Sequence, residues 1–225
     1  MSAKRHNTLQ ETLTEILLDA RDPGAIGFAV AQMKPKGSIL WVQDRLSAME
    51  NGLPAPQALT RFNMASERLI LACGQRAEEV LWAMEEGLRC QALGGIIGEI
   101  WGDPRALDFT ATKRLALRAE RQGVPVFLVR AGGAPSLSAA RKRWRVCSRP
   151  SVPHPFDSKA PGAPRWRADL FRSRGSKPGT FEVDYDPTTH RLDLVPAFRH
   201  SALAPPQSTA GGRAFDRQGA HRARA

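Results

Sequence analysis

The chain has 225 residues, which is long enough for one α/β domain of ordinary size with an appendage. Apolar residues make up 42% of it and aromatic residues 7%, which excludes disorder throughout and suits a globular protein of helices and aliphatic strands. No stretch of about 18 consecutive apolar residues occurs, and no apolar run follows the basic N-terminus. We therefore expect a cytoplasmic protein with no membrane partner.

The formal net charge of +11 is distributed unevenly along the chain. Residues 1–134 contain 16 basic and 15 acidic residues, whereas residues 135–225 contain 17 basic and only 7 acidic residues. A localised basic surface is typical of proteins that bind a polyanion or an acidic partner. The same charge also fits a solvated, solubilising tail, and charge alone does not decide between these interpretations.

The cysteines and histidines form no pattern that indicates a metal site. Cys73, Cys90 and Cys147 are widely spaced, so we expect buried or partly buried thiols in a reducing compartment. All five histidines fall in predicted loops or chain ends, and the sequence contains no arrangement typical of a Ser/His/Asp triad. We expect no metal and no cofactor.

Alternating strands and helices are predicted up to about residue 130. Residues 9–18 fit either an amphipathic helix or a helical turn that leads into a short strand. The other apolar runs predict strands at residues 38–42, 69–72, 96–101 and 124–129. Helices are predicted at residues 28–33, 77–93 and 110–122, with Gly94 and Gly95 ending the second, Thr110 capping the third and Gly123 ending it. This order predicts a mostly parallel sheet flanked by helices.

Beyond residue 130 the pattern changes to the period-2 alternation of half-buried strands. It predicts an antiparallel extension built from residues 143–147, 166–171, 181–185 and 192–194. The end of the chain is rich in Ala, Pro, Gly and Arg without periodicity and is predicted to be disordered. The predicted organisation is an α/β core at 1–134, a basic β extension at 135–196 and a basic tail at 197–225.

A segment at residues 22–29 has the length and position of a nucleotide-binding loop between a strand and a helix. It retains a proline and glycines at Pro23, Gly24 and Gly27. Phe28, however, stands where the phosphate-binding lysine belongs, and Ala29 where the magnesium-binding hydroxyl belongs. Loss of both groups predicts that ATP is not hydrolysed. The alternative is a simple turn before a helix.

Two acids are predicted at the ends of parallel strands, where such sheets place their ligand sites. Asp44 follows the apolar run at 39–42, and Glu99 follows the apolar pair Ile96–Ile97 at the end of its run. The alternative for each is a solvated loop acid. With no lysine opposite them, the two acids are not expected to complete a magnesium site.

Basic residues interleaved with tryptophans provide the candidate surface for DNA or a partner. One interpretation is that Trp144 lies in the core while its basic neighbours face water; the other is that the arginines line one exposed face that contacts DNA phosphates or an acidic partner. The candidate residues are Arg141, Lys142, Arg143, Arg145, Arg165, Arg167, Arg172 and Arg174.

Taken in order, these segments resemble the core of RecA and, more closely, the RecA-like ImuA proteins. The resemblance spans roughly residues 13–195 and is specific only as an ordered set. It is carried by residues 13–16, 22–25, 27–28, 39–45, 80–89, 98–99, 138–140, 143–146, 164–167 and 174–175. By position, it places Asp44 where RecA keeps its water-activating glutamate and Glu99 where RecA keeps its magnesium-linked aspartate.

The resemblance implies a non-catalytic adaptor in damage-induced, error-prone translesion synthesis. The implied partners are an ImuB-like protein of the polymerase family, an error-prone replicative-type polymerase, RecA, or a combination of these, with DNA as a further candidate. Three alternatives stay open: a DNA-stimulated ATPase that uses Lys34 or Lys36, an inhibitor of cell division in the SOS response, and a general DNA-binding protein.

Overall fold

The protein is built on one nine-stranded sheet, seen in a computed structural model that describes residues 12–33, 37–157 and 159–197. The strand order is β3-β2-β4-β5-β1-β6-β7-β8-β9. β1 to β6 pair in parallel, and β6 to β9 form an antiparallel meander. The strands are β1 (Leu13–Leu18), β2 (Ser38–Asp44), β3 (Leu69–Gly74), β4 (Leu93–Trp101), β5 (Val126–Ala131), β6 (Lys142–Arg149), β7 (Arg165–Ser173), β8 (Gly179–Asp186) and β9 (Arg191–Pro196).

Helices cover the two faces of the sheet unequally. The helices are α1 (Gly27–Gln32), α2 (Arg45–Asn51), α3 (Pro56–Leu59), α4 (Ala77–Gly87) and α5 (Phe109–Gln122). α4 and α5 pack over β1 to β5 and form one apolar core. α1 and the segment around α3 lie on the other face, where a second core extends to Trp144, Trp166 and Tyr185. On the α4/α5 side, β6 to β9 present charged side chains and the exposed Cys147.

The predicted mostly parallel, helix-flanked sheet with an antiparallel extension is confirmed. Residues 13–18 form a strand, as one of the two interpretations of that segment expected, while residues 9–11 lie outside the described part of the chain. β1 and β5 are buried along their whole length, as expected of central strands. Residues 198–225, which include almost all of the predicted tail, also lie outside the described part.

Two helix boundaries were predicted wrongly. α4 ends at Gly87, and Gly94 and Gly95 belong to β4. The glycines of β4 permit close packing: a Cβ on Gly95 would lie 2.3 Å from Met33 Cε, and one on Gly98 would lie 2.1 Å from Met84 Sδ.

The cap of α5 is Asp108, whose carboxylate accepts a hydrogen bond from the Ala111 amide at 2.7 Å, and not Thr110. Gly123 does end this helix, in the left-handed conformation.

The prediction of buried or partly buried cysteines is also wrong. All three thiols are free and exposed. Cys73 lies on the edge strand β3, Cys90 in the turn between α4 and β4, and Cys147 on β6. None of the helices in the described part of the chain is long and apolar enough to cross a membrane.

A buried ion cluster joins the parallel part of the sheet to the antiparallel part. Glu15 on β1 accepts hydrogen bonds from Arg130 Nη1 on β5 at 2.8 Å and from Arg143 Nε on β6 at 2.6 Å. All three side chains are almost completely buried. Arg130 also pairs with Asp103, while the Arg143 guanidinium lies 5.0 Å from the centre of the Phe171 ring. Glu15 therefore neutralises charge contributed by both neighbouring strands.

Replacing Glu15 should destabilise the protein strongly. Glu15→Gln leaves two buried guanidinium groups without their shared carboxylate, so we expect a loss of about 3 kcal/mol or more in the free energy of unfolding, measured in urea. Asp19→Asn is the matched control, because Asp19 pairs with Arg21 at 3.9 Å on an exposed surface. Equal midpoints for the two variants would contradict the assigned role of Glu15.

Candidate functional site

The turn after β1, which has the position of a nucleotide-binding loop, is closed on itself. Residues Pro23–Ile26 form a 3-10 helix in which the Ala25 amide donates to the Asp22 carbonyl. The Gly27 amide donates to the carbonyls of Gly24 and Ala25. A loop that cradles phosphate needs backbone amides directed at the anion. In this turn, two of those amides are already bonded within the chain.

Side chains from the antiparallel strands hold this turn in place. The Asp22 carboxylate accepts from the Ser148 amide and hydroxyl, both at 2.6 Å. Trp166 Nε1 donates to the Gly24 carbonyl at 3.1 Å. Added Cβ atoms would meet these neighbours, at 2.8 Å from Ser148 Oγ for Gly24 and 2.9 Å from Trp166 Cζ2 for Gly27. Both glycines are therefore explained by packing against β6 and β7.

Phe28 and Ala29 are core residues. Phe28 is 1% exposed, and its ring meets Trp144 edge-on at 5.4 Å and Trp166 at 6.1 Å between centroids. Ala29 is completely buried. Pro23 begins the 3-10 helix and is exposed. The two positions at which a nucleotide-hydrolysing loop needs a lysine and a hydroxyl thus carry side chains that fill the interior.

Glu99 is a buried acid on β4 with a strongly perturbed titration. Trp41 Nε1 donates to it at 2.5 Å and Asn51 Nδ2 at 3.3 Å. Burial raises the pKa of Glu99 to about 7, although its hydrogen bonds lower the pKa in part. The side chain is 1% exposed, so the alternative of a solvated loop acid is wrong for Glu99.

Asp44 is the last residue of β2 and caps α2. Its carboxylate accepts from the Ser47 amide at 2.7 Å and from the Trp101 amide at 3.0 Å. The residue is 6% exposed, so it is not a solvated loop acid either. Its two hydrogen bonds tie α2 and the end of β4 to β2.

Three buried polar side chains around these acids were not singled out from the sequence. Oxygen atoms of Gln43, Ser47 and Asn51 have no hydrogen-bond partner among the described residues. In the sequence, these three residues could have been noticed as polar residues in the segment that follows the apolar run of β2. Within the described part of the chain, no group of three or more His, Cys, Asp or Glu side chains is arranged to hold a metal ion.

The eight basic candidates do not form a single surface. Arg143 is buried against Glu15, Arg141 pairs with Glu120 at 2.5 Å, and Arg165 makes a two-pronged pair with Asp184 at 2.5 and 2.8 Å. Arg145 pairs with Asp169 at 3.6 Å. Lys142 is about half-buried, and burial lowers its pKa. Arg167, Arg172 and Arg174 are exposed and lie beyond ion-pair distance of the described carboxylates, although Arg174 contributes to lowering the pKa of Glu120.

Trp144 lies in the core as expected, on the opposite face of β6 from Arg143 and Arg145. The expectation that both neighbouring arginines face water, or line an exposed face, is wrong for Arg143. Glu15 and the Phe171 ring draw Arg143 into the interior. Arg145 is exposed, at 56% of its side chain.

Arg145 and Arg167 line a cleft of about 690 Å³ at the carboxyl ends of β1 and β5. Its other walls are the connections that follow those two strands and the side chains of Cys147 and Asp169. Ligands of α/β sheets commonly bind outside the carboxyl ends of strands. The cleft borders the turn after β1, since Asp19, Ala20 and Arg21 line it, but residues 22–29 do not.

The raised pKa of Glu99 makes stability depend on pH. Between about pH 4.5 and 7 the folded protein holds a proton on Glu99 that the unfolded chain releases, so this contribution to stability falls as pH rises through that window. The free energy of unfolding, measured in urea, should therefore fall more between pH 5 and pH 8 for the native protein than for Glu99→Gln. The difference should be of the order of 3 kcal/mol.

Glu67→Gln serves as the control for this measurement, because Glu67 is not buried. An identical pH dependence in the native protein and Glu99→Gln would contradict the assignment of a protonated Glu99.

No protein-family model matches the chain. Over 171 residues it is 33% identical to Protein ImuA of Caulobacter vibrioides strain NA1000 / CB15N, and the same values hold for Protein ImuA of strain ATCC 19089 / CIP 103742 / CB 15. The alignment covers 69% of this chain and 66% of each relative. The aligned region thus spans a little under two thirds of the length of these relatives. On this similarity, the chain belongs to the ImuA family.

Proposed function

We propose that this protein is a non-catalytic adaptor in SOS-induced, error-prone translesion DNA synthesis. Its partners in this proposal are an ImuB-like protein of the polymerase family, an error-prone replicative-type polymerase, RecA, or more than one of them. Membership of the ImuA family supports a role in damage-induced mutagenesis. The adaptor role itself rests on the chemistry of the site.

The single observation that carries the proposal is the closed turn between β1 and α1. Phosphoryl transfer depends on a cation and a metal ligand that stabilise the charge on the transferred group. Phe28 and Ala29 supply neither, and both are buried. The Ala25 and Gly27 amides are bonded within the turn, so no ready anion cradle supplements the missing side chains.

A RecA-like core with a degenerate nucleotide loop is part of the proposal. Three features support it. A central parallel strand leads directly into a glycine-containing turn and a helix, which is the order of a P-loop. Asp44 and Glu99 lie near the carboxyl ends of neighbouring parallel strands. Third, positions 28 and 29 of the turn carry neither the lysine nor the hydroxyl that ATP hydrolysis needs.

DNA binding is a second candidate function, supported by Arg172 and Arg174, which do not line the cleft. These side chains are exposed and unpaired within the described part of the chain, and unpaired surface arginines are suited to phosphate contacts. The alternative of an ATPase that uses Lys34 or Lys36 involves residues outside the described part. We place the protein in the cytoplasm at the nucleoid, where its proposed partners act.

Purified protein should not turn over ATP. With magnesium, single-stranded DNA and ATP, the rate of phosphate release should equal that of Glu99→Gln, because the site lacks the groups that stabilise phosphoryl transfer. A colorimetric phosphate assay checks this. Turnover that Glu99→Gln abolishes would overturn the non-catalytic assignment.

Affinity-tagged protein from DNA-damaged cells should co-purify with a polymerase-family subunit, with RecA, or with both. Identification of the bound proteins by mass spectrometry checks this, and tagged protein from undamaged cells is the control. Recovery of neither partner after damage would count against the adaptor role, whatever the outcome of the ATPase assay.

A further inference from the structure

The cleft lined by Arg145 and Arg167 combines positive charge with weak internal pairing. Arg145 lies 3.6 Å from Asp169, with 56% and 36% of the two side chains exposed. Arg21, also on the wall, lies 3.9 Å from Asp19, with 95% and 65% exposed. Exposed pairs at such distances contribute little to stability. The carboxylates of a ligand can therefore replace Asp19 and Asp169 at little cost.

The same sheet holds other arginines much more firmly. Arg143 shares the buried Glu15, and the Arg165 guanidinium meets both carboxylate oxygens of Asp184. The guanidinium groups of these two side chains are already paired within the protein and are not available to a ligand. Arg145 and Arg167 are therefore the members of the basic set that stand in a cleft and are available to a ligand.

Glycines in the wall bring backbone close to the cleft. Gly132 has a φ of +68°, and its amide donates to the Leu18 carbonyl at 2.9 Å. A Cβ on Gly133 would lie 2.9 Å from the Gly102 carbonyl oxygen and 3.0 Å from Arg130 Nη2. The connection after β5 is thus anchored against the rigid parallel sheet, so the cleft has a fixed wall opposite the arginines.

Carboxylates on the neighbouring strands β8 and β9 would repel the phosphates of a nucleic acid bound on this face of the sheet. Glu182 on β8 stands directly opposite Arg167, and Asp193 lies one strand further on β9, opposite Asp184, whose charge Arg165 balances. Adjacent strands lie about 4.8 Å apart, so these carboxylates begin one strand beyond the arginines. A DNA strand carries a phosphate every ~3.4 Å of axis, so a duplex laid across the face would bring phosphates onto this acidic stripe.

Single-stranded nucleic acid also finds little to bind in the cleft. Proteins that hold single strands stack bases on aromatic side chains. Among the described residues that line the cleft, none is aromatic. A compact acidic ligand that enters the cleft and stops short of β8 fits the charge pattern better than a long polyanion.

We propose that the cleft between Arg145, Arg167 and Arg21 binds a short acidic peptide segment of a protein partner. Carboxylates of the segment pair with these arginines in place of Asp169 and Asp19. The inference deepens the proposed adaptor function, on which it rests for the identity of the partner but not for the binding itself.

Cys147 provides a reporter inside the cleft, and two further cysteines provide internal controls. Cys147 lines the cleft, whereas Cys73 and Cys90 are exposed elsewhere and do not line it. The probe is a capped tetrapeptide of glutamate and serine, short enough to stay within the cleft, and its control is the same peptide with glutamine in place of glutamate. The rate at which iodoacetamide alkylates each thiol of the full chain is followed by mass spectrometry.

At a peptide concentration well above its dissociation constant, the acidic peptide should slow alkylation of Cys147 about fivefold or more. The rates at Cys73 and Cys90 should not change. The glutamine peptide should protect none of the three thiols. Protection should weaken as salt is added, because the pairs are solvent-exposed.

The double variant Arg145→Gln/Arg167→Gln should weaken peptide binding about tenfold or more. The control is Lys113→Gln/Arg121→Gln, which removes the same charge from exposed positions on α5 and should leave binding nearly unchanged. Lack of protection in the native protein, equal protection of all three thiols, or equal weakening in both double variants would overturn the proposal. Stronger protection of Cys147 by a single-stranded dodecanucleotide would also overturn it, in favour of DNA.

The outcomes separate this inference from the proposed function. Suppose that the peptide protects Cys147 in a way that depends on Arg145 and Arg167, but that neither a polymerase subunit nor RecA is recovered from cells. The cleft would then remain a peptide-binding site, and the adaptor role would be contradicted. If the double variant Arg145→Gln/Arg167→Gln recovers those partners from cells as well as the native protein does, the adaptor role stands, and the cleft is not the site at which the partners dock.

Discussion

The structure depends on one carboxylate shared by two buried arginines. Glu15 on the central strand β1 pairs with Arg130 on one side and with Arg143 on the other, so it links the helix-covered parallel sheet to the antiparallel extension. A buried charge is tolerated only when it is paired and hydrogen-bonded. The junction between the two parts is therefore specified by electrostatics, while the apolar cores on the two faces supply most of the burial.

The turn after β1 is a structural joint between α1 and the antiparallel strands. Asp22 and Gly24 bond to Ser148 and Trp166 on the antiparallel strands, and Phe28 packs between two tryptophans. The turn is thus fixed through its carboxylate, a carbonyl and an aromatic ring, while two of its amides are bonded within the turn. The segment thus fastens α1 to the extension.

Much of the fold was predictable because most strands are indicated by the local hydrophobic pattern of the sequence. Continuous apolar runs located β2, β4 and β5, and period-2 alternation located β6 to β9. Local patterns failed where a distant residue decides the outcome. Gly94 and Gly95 were predicted to end a helix, yet they belong to β4, where Gly95 packs against Met33. Arg143 is buried because Glu15, 128 positions away, neutralises it. The cleft was missed for the same reason, since its walls come from four separate segments.

The position of β1 has a consequence for biosynthesis. It is the first strand of the described chain, yet it lies between β5 and β6, and its residues Leu13 and Thr14 pair with Val126 and Lys142. A nascent chain therefore exposes both edges of an apolar strand until more than a hundred further residues have been translated. Unpaired edges of this kind favour aggregation, and pairing across such separations is slow. Productive folding of this protein thus begins late in translation, and chaperones that shield strand edges would improve its yield.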